Sequence, residues 1–247
     1  MRPPGQPDTA AWDDSPWVTA VGGSIPNLNL KTGAKAGPDR VWNIGGPFSE
    51  GAGFSSVFTR PSFQNGVAHI TGSPMRSVPD ITLDALDGTS ESTPLLGGVL
   101  ALATQLNHGR DVGTINPTLY GTLGPRGADG RIADVIHGSN SVRSPVTPGK
   151  GEKTLVQGFT AAKGFDVASG WGTINGNFVP TLVAATKASG NEAAARHQAR
   201  NALAQLTRGI GLAPRVVAKG GAAYLLAGAS CPATRYTCRS MARRWPR

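Results

Sequence analysis

The chain has 247 residues, 39% of them hydrophobic, with 34 Gly, 19 Pro and a net charge of +9. That content supports a packed core broken by frequent turns, and no apolar run approaches the ~20 residues that span a bilayer. The charge is uneven: residues 1–189 hold 14 basic and 14 acidic side chains, whereas residues 190–247 hold ten basic and one acidic, so the basic character belongs to the tail and not to the body.

In chain order, the opening stretch MRPPGQPDTAAWDDSPW has no apolar h-region and reads as no signal peptide. Residues 15–23, SPWVTAVGG, form a short apolar run ended by two glycines, which predicts a buried strand. Residues 24–53 are rich in Gly, Pro and Asn and read as an extended loop or hairpin, with Glu50 exposed in it. Residues 54–63 set aromatics against a proline turn, residues 67–79 read as a loop with His69 on its surface, and residues 78–83 predict a second strand.

The stretch from Asp87 to Asn107, DGTSESTPLLGGVLALATQLN, organises the rest. Gly88 permits a sharp turn, and Thr89 and Ser90 fall where a helix begins, with Pro94 tolerated near that start. From Leu95 onward apolar residues cover nearly every face, which predicts a helix buried all round, its Gly97–Gly98 pair opposite a close backbone neighbour. Ser90 at such a helix mouth is open to two roles. It is either a helix cap or a nucleophile whose oxyanion the free N–H groups and the helix dipole would stabilise.

Beyond the helix, residues 115–123 predict a short helix opened at Pro117, and residues 132–136 a brief strand or turn edge. Residues 139–153 read as polar loop, residues 164–176 as a glycine-punctuated loop and residues 178–188 as a closing helix. Alternating short strands and helices predict an α/β domain with a largely parallel sheet and flanking helices. Asp134 and Asp166 lie on separate loops beside glycines, a pattern open to turn capping or to the mixed carboxylate and carbonyl set that Ca²⁺ takes.

Seven segments, SPWVTAVGG, GAGFSSVFTRPSFQ, SVPDIT, GTSESTP, INPTLY, DVIHGSN and GFDVASGWGTING, occur in the order found in the C-terminal part of sedolisins, the serine-carboxyl peptidases. The chain resembles that family over about residues 14–188. The resemblance implies a subtilisin-like fold, its C-terminal portion only, and hydrolysis of a peptide or protein substrate through an acyl-enzyme. It implies that Ser90, in Gly88-Thr89-Ser90-x-x-x-Pro94, is the nucleophile, that the enzyme works in acid, and that it is secreted. It also implies a calcium site at Asp134, the carbonyls of Val135, Ala162 and Gly164, and Asp166, with Ala162 standing where the family has glycine.

Subtilisins carry the same serine signature, so the base separates the two families. Sedolisins use a glutamate oriented by an aspartate, with a second aspartate at the oxyanion, all upstream of the SPWVTAVGG strand. This sequence offers no counterpart for them. Glu91 adjoins Ser90 but diverges from it by ~100° on a helix, and Asp84 and Asp87 read as solvated loop residues. The segment between Asp80 and Gly88 is also shorter than sedolisins usually have, which bears on substrate preference. The expectation is a peptidase domain, residues 1–189, weak or inactive without a missing N-terminal half, followed by a basic helical or disordered extension, residues 190–247. Residues 191–208 predict a helix in that extension. Cys231 and Cys238 are open to a local bridge or two free thiols. The alternative is a non-catalytic binding module whose basic tail meets nucleic acid or an anionic surface, although no aromatic interleaving accompanies the charge.

Overall fold

The computed structural model describes residues 13–45, 48–85, 88–144, 154–188, 214–219 and 222–227. The chain divides into two compact units, Met1–Ala199 and Arg200–Arg247. In the first, β1 (Val21–Ile25), β2 (Arg40–Val41), β7 (Ile81–Asp84), β8 (Ile132–Ala133) and β11 (Thr173–Ile174) form a five-stranded sheet in the order β2-β1-β7-β11-β8. The three central strands run parallel, and β2 and β8 close the edges antiparallel. The architecture is therefore α/β with a largely parallel core, as the sequence predicts. Ile81, Thr82 and Leu83 are all buried, as a parallel strand covered on both faces requires.

Two helices cover one face: α2 (Thr89–Leu106) and α4 (Phe178–Ala188). Leu96 and Ala103 of α2 pack with Ile81, Leu83, Phe178 and Leu182 in the main core. The other face is unusually polar. A Cβ added at Gly22 there would collide with the Glu50 carboxylate and stand 2.9 Å from the Thr82 methyl.

Several local expectations are corrected. The SPWVTAVGG run becomes strand only from Val21; residues before it are turn and extended chain. The loop between β1 and the aromatics contains β3 (Asn43–Gly45) and β4 (Phe48–Ser49), paired antiparallel. β5 (Gly53–Thr59) pairs with β6 (Met75–Val78), in a stretch read as loop, with a short helix α1 (Ala68–Thr71) between them. β6 was hidden because Arg76 and Ser77 look like loop residues, yet both are fully buried. The predicted second strand is two elements, β6 and β7, separated by Pro79 and Asp80. The helix near Pro117 is one turn, α3 (Asn116–Thr118), continued by a wider π turn over Leu119–Leu123. The polar loop after it holds β9 (Val142–Ser144), which pairs with β10 (Thr154–Val156).

α2 itself departs most from expectation. Its buried side is narrow, and Leu95, Leu102 and Leu106 are 46%, 56% and 48% exposed. A Cβ at Gly97 or Gly98 would meet nothing within 4 Å, so the expected close neighbour is absent among the described residues. Apolar content correctly marked a helix of core character, but only one of its sides is covered by described parts of this chain.

In the second unit, β12 (Pro214–Lys219) and β13 (Ala222–Ala227) form an antiparallel pair, where the sequence read as irregular. The helix expected over residues 191–208 and both cysteines lie outside the described residues. Among the described residues no helix is long and apolar enough to cross a membrane.

Candidate active site at the helix mouth

The chain leaves β7 at Asp84 and enters α2 through Gly88, the helix N-cap, with φ +94°. That angle lies in the region glycine tolerates. The Trp42 ring packs on the same residue, 3.2 Å from where a Cβ would be. Since Gly88 is the cap and no described side chain caps this end, Ser90 is not the cap. It is the second helical residue and it is exposed. The N–H of Glu91 turns back to the Gly88 carbonyl at 3.0 Å. The N–H groups of Thr89 and Ser90 precede any carbonyl the helix could offer them, which is the geometry that receives an anion.

The turn is held from below. Ser92 donates its hydroxyl to the Leu83 carbonyl at 3.1 Å, tying the first turn of α2 to β7. Beneath the sheet, Arg76 and Asp80 form a bidentate pair at 2.7 and 2.6 Å with both side chains fully buried. Asp80 also accepts the Tyr120 hydroxyl at 2.8 Å and the Ala20 N–H at 2.8 Å, joining β6, β7 and the approach to β1. Gln64 donates to Tyr120 at 2.8 Å and completes the network. The sequence reading missed this set. The (i, i+4) spacing of Arg76 and Asp80 was its one visible signal.

No described carboxylate or imidazole hydrogen-bonds the Ser90 hydroxyl. His69 is exposed on α1. Asp84 is exposed at the end of β7, where Ser24 donates to it at 3.4 Å; partial burial and the neighbouring Asp39 raise its pKa. Asp87 lies outside the described residues. Glu50 was expected in solvent and is instead 3% exposed. Its Oε2 accepts the Gly23 N–H at 2.7 Å, and its Oε1 is buried with no partner among the described residues. Desolvation, offset in part by the Gly23 hydrogen bond and reinforced by Asp166, pushes its pKa well above the ordinary value. Glu50 thus sits in the connection between β4 and β5 with its carboxyl turned into the sheet's polar face and not into solvent. The described cavity of about 680 Å³ lies elsewhere, lined by Trp17, Phe58, Phe63 and Tyr120 among others, and Ser90 is not part of its wall.

The five residues of the expected calcium set do come together. Asp134 Oδ2 accepts the Gly164 N–H at 2.7 Å, and Asp166 Oδ2 accepts the Ala162 N–H at 2.8 Å. Ser169, which sequence reasoning passed over, lies between Asp166 and the Val135 carbonyl, donating to the one at 3.1 Å or to the other at 3.4 Å. Asp166 Oδ1 also accepts the N–H groups of Ala168 and Ser169, both at 2.8 Å, which is the turn-capping arrangement. Burial nevertheless raises its pKa to about 6. Asp134 Oδ1 is buried with no hydrogen bond among the described residues, although the neighbouring Val135 N–H acts on the carboxylate. Among the described residues no three His, Cys, Asp or Glu side chains converge, so a cation here would draw on carbonyls for most of its ligands.

No family model matches the chain. It is 30% identical over 191 residues to tripeptidyl-peptidase 1 of Rattus norvegicus, covering 65% of this chain and 30% of that protein. It is 30% identical over 207 residues to tripeptidyl-peptidase sed5 of Aspergillus fumigatus, covering 70% and 33%. Among solved structures, a Pseudomonas sedolisin, a serine-carboxyl proteinase complexed with pseudo-iodotyrostatin, superposes with a TM-score of 0.56 at 24% identity. That match covers 72% of this chain and 48% of the other. The chain thus spans about a third of the length of the curated relatives it matches.

Proposed function

This chain is a relative of the sedolisins over part of its length, and on that premise we propose that it carries the nucleophile-bearing portion of a serine-carboxyl peptidase domain. Ser90 is the nucleophile. The observation that carries the reading is its position: an exposed hydroxyl on the first turn of a helix that follows a parallel strand, beside N–H groups with no helical acceptor.

In this mechanism the substrate carbonyl carbon meets Ser90 Oγ, and the carbonyl oxygen becomes an oxyanion within reach of the helix N–H groups. The Oγ proton passes to a carboxylate base, then to the departing amine, and water releases the acyl group. A carboxylate base works in acid, where histidine would already be protonated. By family resemblance that base and the second oxyanion donor come from the part of a sedolisin domain outside this chain's match. This fits the absence of any described carboxylate on the Ser90 hydroxyl. Turnover by the full chain alone is therefore weak or nil.

Asp134 and Asp166 with the carbonyls of Val135, Ala162 and Gly164 are the residues that would hold Ca²⁺, which would cross-link two loops and keep both carboxylates ionised. The buried Asp134 Oδ1, without a hydrogen bond among the described residues, supports that assignment. Secretion follows the same kinship. Peptide hydrolysis at acid pH tests the reading, with Ser90→Ala as control. Cleavage that needs the Ser90 hydroxyl is expected once a base is supplied, and cleavage equal in Ser90→Ala overturns it.

A further inference from the structure

We propose that the cavity of about 680 Å³ beside Trp17 and Tyr120 is a binding site for a small uncharged aromatic molecule, separate from the Ser90 site. β1 and β7 run parallel, and Ser90 follows the closing end of β7. Pro16 and Trp17 come before β1, and Val112 and Thr114 come after the end of α2. The cavity therefore lies toward the opposite end of the sheet, and of a helix ~27 Å long. Stretches of chain distant in sequence converge on it, from Pro16 on the approach to β1 to Thr186 near the end of α4. Its volume falls in the range of sites that enclose small molecules.

Its aromatic wall is built in advance. The Tyr120 hydroxyl donates to Asp80 at 2.8 Å and accepts from Gln64 at 2.8 Å, so the cavity meets the ring and not the phenol. Phe165 and Trp171, which do not line the cavity, pack on that ring at centroid distances of 5.6 and 5.8 Å. Phe63 is held against Tyr120 at 5.2 Å, and the Arg76 guanidinium lies over its ring at 5.4 Å. Neither ring needs ordering when a ligand enters, which lowers the cost of binding. Trp17 and Phe58, both partly buried, add two more rings. The polar groups of the lining are hydroxyls, with Thr59 and Ser62 exposed and Thr114 partly buried. Among the described residues no Lys, Arg, His, Asp or Glu lines the cavity. A charged ligand would lose its hydration there and gain no counter-ion. That rules out phosphates, carboxylates, ammonium groups and free peptide ends. A flat apolar ring system suits the aromatic wall, and one neutral polar group on it suits the hydroxyls.

The test titrates the full chain with three probes that share one ring system: neutral 2-naphthylmethanol, anionic 2-naphthoate and cationic 2-naphthylmethylammonium. Calorimetry is expected to show saturable one-to-one binding of the alcohol, at least tenfold tighter than either ion. Gly66 and Gly121 line the cavity, and a Cβ at either would meet nothing within 4 Å. Gly66→Leu and Gly121→Leu therefore place bulk in open space, and each should weaken the alcohol at least tenfold. Leu102→Glu removes apolar surface from the exposed side of α2, the other place where such a probe could adhere, and should leave binding unchanged. Circular dichroism checks that the variants fold. Amide shifts in the unsubstituted chain give the same decision without any variant: Gly66 and Gly121 should move with the alcohol, and Gly97 and Gly98 should not. No saturable binding, equal binding of the two ions, or binding that both glycine variants leave intact overturns the proposal. Loss of binding in Leu102→Glu also overturns it, by giving the probe to α2. Heat and chemical shift are read without hydrolysis, so failure here leaves the Ser90 reading standing, and failure of that reading leaves this site standing.

Discussion

The Trp42 indole lies directly on the backbone of Gly88, so the turn that presents Ser90 is clamped from β2's side of the sheet. Gly88→Ala would place a Cβ against that ring at a φ of +94°. The expected cost is about 1–3 kcal/mol from the backbone angle alone, more with the ring contact. Urea denaturation measures it. Unchanged stability would mean that the turn is not held as described.

Asp80→Asn should be severely destabilising, by about 3–5 kcal/mol, because it strands the Arg76 guanidinium in a site with no solvent. An equal loss in Arg76→Met/Asp80→Asn would be unexpected. Removing both charges eliminates the unpaired ion, and the double variant should be more stable than Asp80→Asn. Chemical denaturation of the three variants decides.

Glu50 makes the fold's stability pH-dependent. Its folded pKa is raised, so the native state holds a proton that the unfolded chain has lost above its ordinary carboxylate value. Stability is therefore greatest below that value and declines as pH rises through the interval between the two pKa values. Glu50→Gln resembles the protonated acid and should flatten this decline, melting higher than the parent at neutral pH and much like it at pH 4. A parallel pH profile in both proteins would assign the dependence to another group. The direction suits a domain proposed to work in acid.

Calcium at about a hundredfold its Kd should stabilise the full chain by about 2.7 kcal/mol, or roughly 5–10 °C in melting temperature for a domain of this size. A chelator should reverse the shift. Asp134→Asn and Asp166→Asn should each abolish it. A shift that persists in both variants removes these residues as ligands.

How much could be read beforehand depended on whether the controlling contact was local. The onset of α2 at Thr89 and the helix α4 were legible because glycine punctuation and apolar periodicity act within a few residues, whereas β1 was placed too early because Gly22 and Gly23 lie inside the strand and do not end it. β6 was not, because Arg76 looks like a surface residue until Asp80 is folded against it. Glu50 was misread because its partner, the Gly23 N–H, is 27 residues away and its burial comes from the sheet. α2 was read as buried because its sequence is that of a core helix, and sequence says nothing of which neighbours are present. The Ser90 motif and the Asp134–Asp166 pair stood out by local pattern, each open to a structural reading, and only the resemblance gave them a chemical role. Ser169, which stands between Asp166 and the Val135 carbonyl, carried no signal that separates it from any loop serine.

The central claim is that Ser90 is a peptidase nucleophile awaiting a base. It is tested most directly by hydrolysis of a fluorogenic tripeptide substrate near pH 4, with the full chain alone and with the complementary part of the sedolisin domain. The prediction is negligible Ser90-dependent turnover by the chain alone, clear turnover in the pair, and at least a thousandfold loss in Ser90→Ala. Turnover that survives Ser90→Ala, or a well-formed 1:1 pair that hydrolyses nothing, would contradict it.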